Sequence, residues 1–194
     1  MNTNTIRTGS KAAAKSKLKM VAFALVLAVF AASCAAAETA SPDGSGGILI
    51  EDTSAFDLPV TVITANSVND GVTTLNELID GDKPVLLWSF AAWCPNCARE
   101  APFIDAFAAA NPDVQVIGVG SLDSVENSVG FIRGTGVQNS VMVFADDNAT
   151  LWGELGFSGR TENLVVSPDL TQRFSPNLGG FRENEVVQQL GAFT

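Results

Sequence analysis

Hydrophobic residues in this chain fall into short blocks separated by Gly, Pro, Asn and Asp, after one early uncharged apolar run from Met20 to Ser33. Leu58 to Thr64 (LPVTVIT) is rich in β-branched residues and predicts a strand. Thr74-Leu75-Asn76-Glu77 has the spacing of a capping box and predicts a short helix. Val85 to Phe90 is almost wholly apolar, as in a strand buried on both faces. From Cys97 to Ala110 the period is helical. Phe103 and Phe107 lie one turn apart beside a stripe of Ala101, Ile104 and Ala108, and both phenylalanines are expected in the core. Asn111-Pro112 ends that helix. A strand over Val114 to Val119 follows, then a helix over Ser124 to Arg133 capped by Asp123 or Ser124. Val141 to Phe144 predicts a short strand and Ala149 to Leu155 a short helix. Asn163 to Ser167 and Thr171 to Phe174 flank the turn pair Pro168-Asp169 and predict a hairpin. Glu183 to Ala192 closes as a helix. This alternation argues for an α/β fold, a mixed sheet covered by helices in a single domain.

Charge changes the picture at the N-terminus. Arg7, Lys11, Lys15, Lys17 and Lys19 all precede the first acidic residue, Glu38. A basic stretch, an apolar run and then small residues read as an export signal over residues 1–33. The 14 residues from Met20 to Ser33 are few for a helix that must cross about 30 Å of hydrocarbon. Cys34 follows Ala31-Ala32-Ser33, an arrangement that resembles a bacterial lipoprotein signal in which this Cys carries the lipid. Cleavage after Ala37, with Ala35 and Ala37 as the small pair, is the alternative. Residues 34–53, with Gly-Ser-Gly-Gly at 44–47, read as a flexible tether. The folded domain is then expected over 54–194.

Composition excludes several chemistries. The chain has no histidine and no tyrosine, so Ser-His and Cys-His catalysis and His-ligated metals are ruled out. Five of its 11 basic residues lie before Glu38 and all 21 acidic residues follow, which leaves the remainder near −15. Such a surface suits solubility after export and does not suit nucleic acid. Asp146-Asp147-Asn148 reads as a polar cap for the next helix.

The chemistry concentrates at Trp93-Cys94-Pro95-Asn96-Cys97, where a strand delivers a CxxC to the start of a helix. A helix N-terminus offers free N–H groups and a partial positive charge that favour thiolate. Zinc would need more ligands than the three cysteines supply. A disulfide closing so short a loop constrains the unfolded chain little, so a purely structural role is the weaker reading. A redox dithiol is the stronger one, with no cofactor and no metal.

These residues resemble the thioredoxin-fold family. Trp93 to Cys97 matches its WCxxC, and Pro102 matches the proline inside its active-site helix. Arg99-Glu100-Ala101-Pro102 is similar to the RExP of the exported TlpA-like and DsbE-like branch. The resemblance implies a thioredoxin-like mixed sheet and a thiol–disulfide oxidoreductase working outside the cytoplasm. It implies that Cys94 attacks or is attacked and Cys97 resolves the mixed disulfide. Trp93 would pack beside the pair, while Pro95 and Asn96 tune the thiolate. Implied partners are protein thiols or disulfides, a redox partner that resets the pair, and the membrane through a lipid on Cys34. A TlpA-like reductant and a binding module without turnover are the alternatives.

Two departures from the family stand out. Thr161 falls where the family has a cis-proline opposite the CxxC, so docking is expected to weaken or the Thr161 hydroxyl to bond a sulfur. Trp88 falls where many thioredoxins bury an acid. Glu162 and Glu100 are the nearby replacements, and both are expected to be solvated or in surface pairs.

Overall fold

The computed structural model describes residues 46–193. The expected export signal, Cys34 and the first part of the tether lie outside the described residues.

Eight strands form one sheet in the order β1-β8-β7-β4-β5-β6-β2-β3. They are β1 (Ile48–Leu49), β2 (Pro59–Ile63), β3 (Val68–Thr74), β4 (Val85–Phe90), β5 (Gln115–Ser121), β6 (Val141–Asp146), β7 (Asn163–Val166) and β8 (Gln172–Arg173). β4, β5 and β6 are parallel, and β7 and β2 flank them antiparallel. The helices are α1 (Leu75–Leu78), α2 (Pro95–Ala110), α3 (Val125–Thr135), α4 (Thr150–Leu155) and α5 (Glu183–Leu190). The arrangement is the α/β mixed sheet that the alternating pattern implies.

β4 is central and every one of its residues is buried, as a strand covered on both faces requires. Trp88 and Phe90 stack at 5.4 Å between centroids, and Phe90 stacks on Phe131 of α3 at 4.8 Å. The neighbouring strand makes room for them. Gly118 pairs with Trp88 and Gly120 with Phe90, and a methyl at Gly120 would come within 2.7 Å of the Phe90 ring. Local signals set the ends of elements. Thr74 and Glu77 form the capping box of α1, and Ser124 caps α3.

Two expectations need correction, and one strand was not anticipated. Residues 48 and 49 pair with Arg173 and Gln172, so the sheet begins inside the segment read as a tether. A two-residue strand is too short to leave a period in the sequence. β3 escaped the pattern because it is an edge strand of mixed polarity, with Gly71 inside it and Val72 exposed. Phe103 is 67% exposed, whereas Phe107 is buried. The buried stripe of α2 runs through Cys97, Ala101, Ile104, Phe107 and Ala108, and Phe103 lies off it.

Candidate active site

The sequence VLLWSF forms a buried strand that stops at Phe90, and Pro95 starts a helix five residues later. Proline suits that first position because its missing N–H has no partner to lose there. Cys94 becomes the N-cap residue of α2. Its sulfur accepts a hydrogen bond from the backbone N–H of Cys97 at 3.2 Å. Both cysteines are free thiols. Cys94 is 6% exposed and Cys97 fully buried. Burial pushes the Cys97 thiol well above the ordinary cysteine range, and its hydrogen bond with Cys94 adds to that. The two sulfurs are therefore unequal, one at the helix tip and one sealed behind it.

The residues around the pair are arranged as follows. Pro95 and Asn96 are exposed in the first turn, and the Arg99 guanidinium donates to Asn96 Oδ1. Trp93 is 53% exposed. Its indole N–H donates to the carbonyl of Leu122 at 2.9 Å, and Arg160 lies 4.4 Å from its ring centroid. Thr161 donates its backbone N–H to Ser89 O at 2.8 Å, which ties this loop to the end of β4. Its hydroxyl donates to the carbonyl of Arg160, so the expected contact with a sulfur is replaced by one to its own backbone. At φ 64° the residue is in the left-handed region, where a β-branched side chain is an outlier.

Neither glutamate is the solvated or surface-paired group expected. Glu162 is 5% exposed, and its carboxylate accepts from Ser158 N at 2.8 Å and Ser158 Oγ at 2.6 Å. It closes the loop 158–162 on itself. Glu100 sits one helical turn beyond Cys97, half-buried. Its carboxylate accepts from Trp88 Nε1 at 2.7 Å and from the backbone N–H of Phe181. Desolvation pushes its pKa up, partly offset by those two donors. The negative charge of Glu100 in turn helps to hold the Cys97 proton. Gly180, with φ 106°, lets the loop approach, since a Cβ there would lie 3.1 Å from Glu100 Oε1.

Ser89 is a site residue that the pattern did not single out. Its hydroxyl donates to Gly159 O at 2.8 Å and accepts from Glu162 N at 3.1 Å. The available signal was one hydroxyl inside an otherwise apolar buried strand. A cavity of about 620 Å³ is lined by Asn96, Arg99, Glu100, Phe103, Phe107 and Phe181.

A central parallel sheet that delivers an asymmetric CxxC to a helix N-terminus, with a proline inside that helix, defines a thioredoxin-fold protein. Residues 54–171 match the AhpC/TSA family, and the chain belongs to it. It is 26% identical over 113 residues to the soluble secreted antigen MPT53 of Mycobacterium tuberculosis, covering 58% of this chain and 64% of that one. It is 28% identical over 108 residues to the thiol:disulfide interchange protein DsbE of Haemophilus influenzae, covering 56% and 58%. The chain thus spans less than two thirds of the length of these relatives. Among solved structures, MTB DsbF matches with a TM-score of 0.59 at 23% identity, over 73% of this chain and 98% of that one. A secreted Mycobacterium tuberculosis disulfide oxidoreductase matches at 0.56 and 21%, over 73% and 99%. At these identities the structural likeness concerns the fold.

Proposed function

We propose that the protein is an extracytoplasmic thiol–disulfide oxidoreductase that exchanges disulfides with protein substrates through Cys94 and Cys97. The observation that carries this reading is the inequality of the two sulfurs. Cys94 receives the Cys97 N–H at a helix N-terminus, while Cys97 is sealed and keeps its proton. The relative named a thiol:disulfide interchange protein supports the reaction, and the one named a secreted antigen supports the location.

In the reducing direction, the Cys94 thiolate attacks a substrate disulfide. An S–S bond forms between Cys94 and the substrate, and one substrate sulfur leaves as thiolate. Cys97 then loses its proton and attacks Cys94 Sγ, releasing the second substrate thiolate and closing the Cys94–Cys97 disulfide. Two electrons pass to the substrate. Glu100, half-buried one helical turn beyond Cys97 and acting on it through its charge, is the group that takes the Cys97 proton. In the oxidising direction each step reverses and Glu100 returns the proton.

Trp93, Pro95 and Asn96 form the exposed rim on which a substrate chain docks, with Thr161 and Glu162 shaping its far wall. A second redox protein restores the starting state of the pair. Cys34 carries a lipid that holds the domain at the outer face of the membrane. Residues 1–33 are its signal, and the tether spans the residues up to the first strand.

Two assays decide the direction. Refolding of reduced ribonuclease without insulin reduction identifies an oxidase, the reverse result a TlpA-like reductant, and activity in neither a binding module. Equilibration with glutathione then fixes the potential, where about 30 mV corresponds to 1.4 kcal/mol.

A further inference from the structure

Trp93, the residue before Cys94, is held from two sides, and a strained residue stands at each holder. Leu122, whose carbonyl takes the indole N–H, has φ 61°. Arg160, whose guanidinium covers the ring, precedes Thr161 with φ 64°. Left-handed backbone at non-glycine residues persists only where surrounding contacts enforce it, and it concentrates at functional sites. The enforcing contacts are visible. Gly159 O, Thr161 N and Glu162 N are all bonded to Ser89, at 2.8, 2.8 and 3.1 Å. Arg160 therefore projects from a loop clamped on both sides to the strand that leads into the dithiol.

Its charge is left over. Among the described residues Arg160 forms no salt bridge; the ion pair present is Arg182 with Glu185. Carboxylates near the site are engaged elsewhere. Glu162 is bonded to Ser158, Asp123 to Ser124 and Asn127, and Glu100 to Trp88 and Phe181. Arg99, a second cation close to the dithiol in sequence and lying in α2, is turned to Asn96. In a chain with 21 acidic and 11 basic residues, an arginine without a carboxylate partner, held over the residue that precedes Cys94, is set up to receive one from outside.

We infer that Arg160, braced on Trp93, is a specificity-determining residue that selects cysteine segments carrying Asp or Glu beside the reacting sulfur. This rests on the oxidoreductase reading above. The overall acidity of the chain favours the opposite choice, basic segments. That field is screened over about 8 Å at physiological salt. A carboxylate flanking the substrate cysteine meets the guanidinium directly, in a charge-assisted hydrogen bond that can be bidentate. The selection is for a local acidic neighbour, not for an acidic protein.

The test uses the oxidised protein and three short peptides, each with one cysteine flanked by Asp, Ser or Lys. The rate at which each opens the Cys94–Cys97 disulfide is divided by that peptide's rate with hydroxyethyl disulfide. That division removes the effect of flanking charge on the peptide's own thiol. The Asp peptide is expected to react about three- to fivefold faster than the Ser peptide, the range of an exposed ion pair. Arg160→Gln brings the two to parity, Arg160→Glu favours the Lys peptide, and Arg160→Lys keeps much of the preference. Equal normalised rates for the native protein, a preference for Lys, or an Asp-to-Ser ratio unchanged in Arg160→Gln overturns the inference while leaving the oxidoreductase reading intact. A disulfide that reacts with none of the peptides faster than hydroxyethyl disulfide does overturns both.

Discussion

The indole N–H of Trp88 donates to Glu100 Oε2 at 2.7 Å, joining the central strand to the active-site helix behind the dithiol. Trp88 occupies the strand position at which many thioredoxins bury an acid. Here the strand supplies a donor and the helix supplies the carboxylate. The acid thus stands one turn beyond Cys97 along α2, where its charge acts on the buried thiol. Replacing Glu100 with Gln keeps the shape and removes the base. The resolving step, read as decay of the mixed disulfide in stopped flow, is expected to slow by about tenfold or more at pH 7 and to lose its pH dependence there. An unchanged profile would remove Glu100 from the proton path.

Glu100 also leaves a signature in stability. Burial raises its folded pKa above the ordinary glutamate value of 4.5, so the folded state binds this proton more tightly than the unfolded state. The stabilisation is complete below 4.5 and is lost as pH rises through the raised folded value. Urea unfolding between pH 4 and pH 8 should show that loss in the native protein and a flatter profile in Glu100→Gln. Asp52 and Asp169, whose pKa values are lowered, act in the opposite sense but are common to both proteins. The reduced protein should lose further stability above pH 9, where unfolded Cys97 ionises and folded Cys97 does not. The oxidised protein should lack that loss.

Much of the fold was legible because its signals are local. The apolar run VLLWSF, the Thr74–Glu77 box and Asn111-Pro112 each act within a few residues, and each lies at the element it predicts. The two cysteines were legible for the same reason. What surrounds them was not. The bond from Trp88 to Glu100 spans 12 residues, and those from Ser89 to the 159–162 loop span 70 and more. Such contacts depend on which strands pair, so burial of Glu100 and Glu162 could not be read from their neighbours in sequence. Phe103 was misplaced because a spacing of four fits more than one face of α2.

Thr161 carries strain that can be relieved. A left-handed conformation costs a β-branched L residue about 1–2 kcal/mol, and asparagine tolerates it better. Thr161→Asn is expected to raise the stability of the folded protein by about 1 kcal/mol in chemical denaturation. A loss of stability would mean that the threonine hydroxyl on the Arg160 carbonyl outweighs the backbone term.

Close packing behind the site gives a further expectation. A methyl added at Gly120 would meet Phe90 Cζ at 2.7 Å and Val143 O at 3.2 Å. Backbone oxygen cannot yield as a side chain can, so Gly120→Ala should cost about 1–3 kcal/mol and shift the unfolding midpoint down. An unchanged midpoint would show that the Trp88, Phe90 and Phe131 stack can slide.

The central claim is the division of labour between Cys94 and Cys97, and trapping measures it most directly. Cys94→Ser and Cys97→Ser proteins are each exposed to a peptide disulfide, quenched in acid and weighed intact by mass spectrometry. Cys97→Ser is predicted to hold one peptide on Cys94 as a stable mixed disulfide, and Cys94→Ser to hold none. Equal adducts on the two variants, or an adduct on Cys97 alone, would contradict the account.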